Sequence, residues 1–325
     1  MLSEHSPPPV RVAVLISGSG TNMAALYYAS QLPGSGFEIV CVGSNDPDAG
    51  GLAFARAAGI ATFAISHKGK NREDHDRAMD VEIRAHGAEY IALAGYMRVI
   101  GREFVQGWNG RIVNIHPSLL PKYKGLHTHQ KALEAGDSHA GCSVHIVTAE
   151  LDDGPLLGQI PVAILPGDTE STLAARVLIA EHQLYARCLS ELVSRPYRAD
   201  WIESRIDQLA SALPETGKKD SHGQPGWRTG GKSGKFFAYL SDRHHGEPHI
   251  AVLVKTDSQD ELASLVEQSP EIYFKPAYYG ASGWIGLILN RPDVDWGHVS
   301  QWLERSWRAV APKRLTRVMD AADQF

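Results

Sequence analysis

An asparagine and a histidine two residues later close an apolar run, Arg111-Ile112-Val113-Asn114-Ile115-His116. Asn114 carries a neutral amide donor. His116 carries a ring whose reference pKa of about 6.5 lets it hold or release a proton near neutrality. A carboxylate beside that ring would hold its orientation and favour the imidazolium. Glu150-Leu151-Asp152-Asp153-Gly154-Pro155 offers two, and adjacency does not separate Asp152 from Asp153. Amide, imidazole and carboxylate together can stabilise an oxyanion, at about 3–4 kcal/mol per good donor, and move protons, worth about 10²–10⁴ in rate. The loop after His116 carries Pro117, Pro121, Gly125, His127 and His129, and its prolines stiffen it for presenting side chains. His116, His127 and His129 invite a metal reading. His-x-His without a cysteine or glutamate at finger or protease spacing is too weak for one, and no metal is expected.

A second candidate is Ser17-Gly18-Ser19-Gly20-Thr21-Asn22, between a strand-like run and a helical pattern. Glycines permit close backbone approach, and a helix N-terminus offers unpaired N–H groups to a phosphate. A tight, capped β-α turn would look the same. The dinucleotide fingerprint wants a further glycine where Met23 stands, which disfavours NAD. Gly226 to Ser233 fits the P-loop pattern letter for letter. The pattern requires a strand before and a helix after it, whereas a polar stretch precedes and a strand-like run follows. No NTPase activity is expected.

The elements that must position these groups alternate. Residues 10–16, 37–42, 90–94, 112–115 and 143–147 read as strands, the first a continuous apolar run suited to a parallel strand covered on both faces. Residues 22–29, 51–58, 72–85 and 172–192 read as helices. The alternation predicts an α/β, doubly wound, mostly parallel sheet. Asn114 and His116 then fall at a strand's C-terminal end, where such sheets bind ligands. Residues 214–234 are polar and glycine-rich and read as a linker. Beyond them, strands at 235–240, 250–255 and 284–289 and helices at 260–268 and 299–310 predict a small α+β domain. The expected organisation is a flexible leader at 1–9, a first domain at 10–213, the linker, and a second domain at 235–325.

Composition excludes several classes. The chain has 325 residues, 43% hydrophobic and 21% charged, as a globular protein does. Residues 1–213 hold 18 Lys and Arg against 23 Asp and Glu, and residues 214–325 hold 14 against 14, so neither half is basic enough to suggest nucleic acid. No run approaches the roughly 18 apolar residues of a membrane span. Cys41, Cys142 and Cys188 lie far apart in apolar runs, which suits buried thiols in a reducing cytoplasm. The helix faces fit a monomer or a homodimer.

The Asn-x-His run with its loop, followed by Leu-Asp-x-Gly-Pro, resembles the signature of the folate-dependent formyltransferases over about residues 10–200. The resemblance implies formyl transfer from 10-formyltetrahydrofolate to the amine of glycinamide ribonucleotide, a step of purine synthesis. It assigns catalysis to Asn114, His116 and Asp152, preferring Asp152 over Asp153. It gives the ribonucleotide phosphate to Gly20, Thr21 and Asn22, and the ribose or amino end to Glu181. Arg72 falls to the folate's glutamate tail, and Met97, Arg98, Val99 and Ile100, with Asn114, to the pteridine. His127 would support the catalytic residues from behind, and His129 would cap or face a helix over 130–135. A cis Leu120-Pro121 peptide is also implied. The chain departs from the family's usual proline after Lys122-Tyr123, placing Lys124 there.

Tyr278-Tyr279-Gly280, Gly283-Trp284-Ile285, Asp295-Trp296 and Ser306 to Leu315 resemble the MmcQ/YjbR-like small domains, implying an accessory domain of unassigned activity. Trp284, Trp296, Trp302 and Trp307 are expected in its core. A deformylase, in which water replaces the amine, is the related alternative. A tRNA-acting formyltransferase would want a basic partner domain. A folate-binding regulator acting through the second domain is the alternative from another class.

Overall fold

A computed structural model describes residues 8–322, apart from 222, 232, 233 and 292. The chain forms two compact units, Met1–Val193 and Ser194–Phe325.

The first unit is built on a seven-stranded sheet of order β3-β2-β1-β4-β5-β6-β7. The strands are β1 (Val10–Ile16), β2 (Phe37–Ser44), β3 (Ala61–Ala64), β4 (Tyr90–Leu93), β5 (Ile112–His116), β6 (His139–Ile146) and β7 (Leu156–Ala163). The first five pair in parallel, and β6 and β7 add antiparallel partners at one side. This is the mostly parallel sheet expected. In β1 every residue but Arg11 is buried, because helices cover both faces of a central parallel strand. The helices are α1 (Thr21–Ser30), α2 (Gly50–Ala57), α3 (Arg72–Ala85), α4 (Arg102–Gly107), α5 (Thr128–Glu134) and α6 (Glu170–Ser194). One core joins Ala13, Leu15, Ile91 and Leu93 of the sheet to Met79 and Ile83 of α3 and to Phe104 and Trp108 at α4.

Strand order reverses between β1 and β4, so a crevice opens at their C-terminal ends. Helix α6 docks across it. Its buried stripe runs Leu173, Val177, Leu184, Cys188 and Leu192. The fully buried Tyr185 sets its register, with the hydroxyl 3.1 Å from the Leu93 carbonyl oxygen and 2.9 Å from that of Val113. Cys41, Cys142 and Cys188 are buried, and none of them is in a disulfide.

The second unit holds a six-stranded antiparallel sheet of order β12-β13-β11-β10-β9-β8. Its strands are β8 (Thr216–Ser221), β9 (Gln224–Thr229), β10 (Lys235–Asp242), β11 (Ile250–Lys255), β12 (Tyr273–Phe274) and β13 (Trp284–Ile288). Its helices are α7 (Ala199–Ser211), α8 (Gln259–Gln268), α9 (Trp296–Val310) and α10 (Lys313–Ala322). Ile202 and Ile206 of α7 pack with Phe237, Val252, Leu287 and Leu303 in one core. Trp302 and Trp307 lie in that core, and Trp296 packs against it. Trp284 is also buried, but against Tyr239 and Tyr279. Strand alternation puts it on the face opposite Ile285 and Leu287.

Two expectations need correction. The stretch 214–234 is not a linker throughout, because Thr216–Ser221 pairs with Gln224–Thr229 as the β8–β9 hairpin. Strand β8 is a solvated edge whose Lys218 pairs with Glu203 of α7, so it needs no apolar alternation and its polar composition misled. Strand β9 is anchored by the fully buried Trp227, whose indole N–H donates to Asp207 at 2.8 Å. The unit boundary correspondingly falls near 193, because α7 belongs with the second core. The P-loop lookalike begins inside β9, and strand β10 follows it. Its Lys232 and Ser233 lie outside the described residues.

Candidate active site

The end of β5 carries Asn114 and His116, and antiparallel β6 brings His145 opposite Asn114 and Ser143 opposite His116. The following turn returns Asp152 to the same place. Asp152 has a left-handed backbone, φ 49°, and the turn passes so close to β6 that a Cβ on Gly154 would sit 1.8 Å from the Ile146 carbonyl oxygen. That explains the glycine two residues after the aspartate.

Asp152 is shared by two histidines. Its Oδ2 lies 3.5 Å from His116 Nδ1, and its Oδ1 lies 3.6 Å from His145 Nε2. The Gly125 N–H also donates to Oδ2 at 2.9 Å. Burial works to raise the Asp152 carboxyl. The His145 ring, the Gly125 N–H and the His116 charge outweigh it and hold the group below the usual carboxylate range. Asn114 Nδ2 is 3.2 Å from His145 Nε2, and His145 Nδ1 is 3.0 Å from the Ile146 carbonyl oxygen. His145 Nε2 thus lies between the Asn114 amide and the Asp152 carboxylate. His116 Nε2 faces the Tyr123 carbonyl oxygen at 2.9 Å. Both His116 nitrogens thus face oxygen, and a neutral ring can donate to only one of them. Asp153 points away and pairs with Lys124, so the geometry separates the two aspartates.

The loop after His116 carries a cis Leu120-Pro121 peptide and left-handed Tyr123 and His127. Ser118 Oγ donates to the Lys122 carbonyl at 2.7 Å, and Ser143 Oγ donates to the Ser118 carbonyl at 2.6 Å. These bonds hold the Tyr123 carbonyl over His116. His127 does not stand behind the catalytic set. It occupies the N-cap position of α5, is exposed, and its side chain makes no capping hydrogen bond. His129 does not cap either, because α5 starts at Thr128 and places it in the first turn. Its Nδ1 is buried without a partner, and burial lowers its pKa.

Across the crevice, Gly20 is the left-handed N-cap of α1, φ 73°, and no side chain caps that helix. A Cβ on Gly20 would sit 2.9 Å from Gly51 Cα, so this turn tolerates only glycine. The N–H groups opening α1 at Thr21 and Asn22 therefore face outward without a side-chain acceptor. The Asn22 amide donates to Glu181 Oε2 at 2.7 Å, while Asn22 Oδ1 is buried and unpartnered. Burial pushes the Glu181 carboxyl above its ordinary range, partly opposed by Asn22. The neighbouring His182 also has a buried Nε2 without a partner, and burial lowers its pKa.

The segment after β4 forms the third wall. Ser17 Oγ accepts from the Met97 N–H at 2.7 Å and donates to Asn45 Oδ1 at 2.6 Å, tying this segment to the glycine loop. Its far end is fixed where the Gly101 N–H donates to Asp76 at 2.7 Å. Between these anchors Met97 is 73% and Val99 52% exposed, while Ile100 packs on the core. Arg98 Nε is buried without a partner. Arg72, at the start of α3, is exposed and lies along Gly101.

Sequence reasoning missed His145 and His182, and it gave Ser17, which opens the glycine loop, no role of its own. His145 is a polar residue in an otherwise apolar strand, a signal that means something only once β6 is paired with β5.

Residues 10–189 match the formyl transferase family, and residues 211–309 match the YjbR family. Phosphoribosylglycinamide formyltransferase of Escherichia coli is 45% identical over 182 residues, 56% of this chain and 86% of that protein. The trifunctional purine biosynthetic protein adenosine-3 of Homo sapiens is 44% identical over 185 residues, 57% of this chain. The chain spans only 14–19% of the length of such trifunctional relatives. The crystal structure of the phosphoribosylglycinamide formyltransferase from Brucella melitensis superposes with a TM-score of 0.56 at 50% identity, covering 57% of this chain and 97% of that one. With more than half of its length matched and the strand-end crevice in place, the chain belongs to the formyl transferase family.

Proposed function

We propose that the first unit transfers a formyl group from 10-formyltetrahydrofolate to the amine of 5'-phosphoribosylglycinamide, a step of purine synthesis. The observation that carries the reading is the Asn114–His145–Asp152–His116 cluster at the end of β5, facing the uncapped N-terminus of α1 across the switch point. The names borne by the Escherichia coli and Brucella melitensis relatives support the same substrate pair.

Each residue has a part. Attack by the amine nitrogen on the formyl carbon leaves negative charge on the formyl oxygen. Asn114 and His116 supply donors to it, the amide neutral and the ring charged. Asp152 holds His116 by its Nδ1 edge, so that Nε2 is the nitrogen that turns to substrate once the Tyr123 carbonyl gives it up. As the bond from the formyl carbon to the donor nitrogen breaks, that nitrogen takes a proton and the amine loses one, both within reach of the His116–Asp152 pair. The α1 N-terminus at Gly20, Thr21 and Asn22 takes the ribonucleotide phosphate. Glu181, held by Asn22, accepts from the ribose or amino end. Met97 and Val99 offer apolar surface to the pteridine, the backbone of Arg98 to Ile100 bonds its edge, and Arg72 meets the folate's glutamate tail.

The test is release of tetrahydrofolate from 10-formyltetrahydrofolate with and without the ribonucleotide. Release that requires the ribonucleotide supports the reading. Release without it means that water is the acceptor, and the chain is then a deformylase.

A further inference from the structure

The second unit contains a buried polar atom that its own fold does not use. Gln224 opens β9, is 4% exposed, and its Oε1 is buried with no hydrogen-bond partner among the described residues. Leaving such an acceptor dry costs about 1–3 kcal/mol. Gln224 lines a cavity of about 10 Å³ on the sheet face opposite the helices, between the turn after β10 and the loop after β12. That is room for roughly one water-sized group.

The walls give the character of that group. Ser241, His244, His245, Glu247, Phe274 and Tyr279 line the same cavity. No Lys or Arg is among the lining residues, and the Glu247 side chain makes no ion pair among the described residues. Phe274 and Tyr279 present rings. At the mouth His245 packs on Tyr278 with centroids 4.7 Å apart, and Tyr278 is 81% exposed. Three non-glycine residues with left-handed backbone converge here: Arg243 at φ 48°, His245 at 55° and Tyr278 at 63°. Each such conformation costs of order 1–3 kcal/mol, and the turn after β10 holds two of them and the loop after β12 one.

An orphaned acceptor, a carboxylate without an ion pair and aromatic faces without a Lys or Arg form a donor set for a cation that carries N–H groups. We propose that this cavity binds the ammonium end of a small primary amine. Gln224 Oε1 accepts from the ammonium, Glu247 balances its charge, and the Tyr278 ring covers the alkyl chain as it leaves the mouth. The site lies wholly within the second unit and is independent of the formyl-transfer reading.

The test is titration calorimetry of the full chain with n-butylamine, alongside butan-1-ol and sodium butyrate, repeated on Glu247→Gln and Tyr278→Ala. Both variants are at the cavity's rim, where Glu247 is half-buried and Tyr278 largely exposed. Saturable heat is expected from the amine only, weakened about tenfold, or 1.4 kcal/mol, in Glu247→Gln and also weakened in Tyr278→Ala. Absence of saturation with the amine would mean that Gln224 merely holds a water and would overturn the proposal. Equal binding of butan-1-ol, or variants that bind as the wild type does, would overturn it as well.

Discussion

Asp152 Oδ2 stands 3.5 Å from His116 Nδ1, and the same carboxylate turns its other oxygen to His145. One acid thus orients two rings, and through His145 it also orients the Asn114 amide. Asp152→Asn keeps the shape and removes the charge. We expect kcat to fall by about 10²–10⁴, the range for acid–base help, with KM for both substrates nearly unchanged. Steady-state kinetics on the pure variant decides it, and a kcat within threefold of wild type would exclude the orienting role.

The same carboxyl makes a pH prediction. Its folded pKa is depressed, so its contribution to stability is present above the ordinary Asp value near 3.8 and is lost as pH falls through the folded value. Wild type should therefore hold a Tm advantage over Asp152→Asn at pH 6 that shrinks below about pH 4. Thermal scans across that range check the sign; a constant gap would place the stabilisation elsewhere.

Glu181 has the opposite sign. Burial raises its folded pKa above the unfolded value of 4.5, so the ionised carboxylate costs stability once pH passes that value. Glu181→Gln should raise Tm at pH 8 and change it little at pH 4. The same variant should raise KM for the ribonucleotide more than it lowers kcat. A variant no more stable at pH 8 than wild type would show that Asn22 fully compensates the buried charge.

Much of this site was legible because its groups sit on short local signals. Asn114 and His116 share one strand, Gly20 to Asn22 one turn, and Asp152 one loop with its required Gly154. The rest depends on pairings that no local pattern carries. His145 enters through the antiparallel register of β6 on β5, and Ser17 through a bond to the backbone of Met97 eighty residues away. His127 misled because spacing put it near His116, whereas its left-handed backbone at the start of α5 turns the ring to solvent. In the second unit a solvated edge strand and a linker have the same composition. Only Trp227, packed under α7, distinguishes them.

Lys124 tests how far the loop around Tyr123 depends on charge. It pairs with Asp153, next to Asp152, and lies between Tyr123, whose carbonyl meets His116, and Gly125, whose N–H meets Asp152. Both partners are substantially exposed, so the pair itself is worth only about 0.2–1 kcal/mol. The loop has stronger fasteners in the Ser118 and Ser143 hydroxyl bonds. Lys124→Ala should therefore lower kcat by less than about fivefold, the equivalent of 1 kcal/mol. Ser143→Ala, which removes a buried bond to the Ser118 carbonyl, should cost more. Measuring both variants at low and high salt separates the contributions. The Lys124→Ala deficit should vanish at high salt, while the Ser143→Ala deficit should persist, and the reverse pattern would mean that the exposed ion pair, not the hydroxyl network, holds the Tyr123 carbonyl over His116.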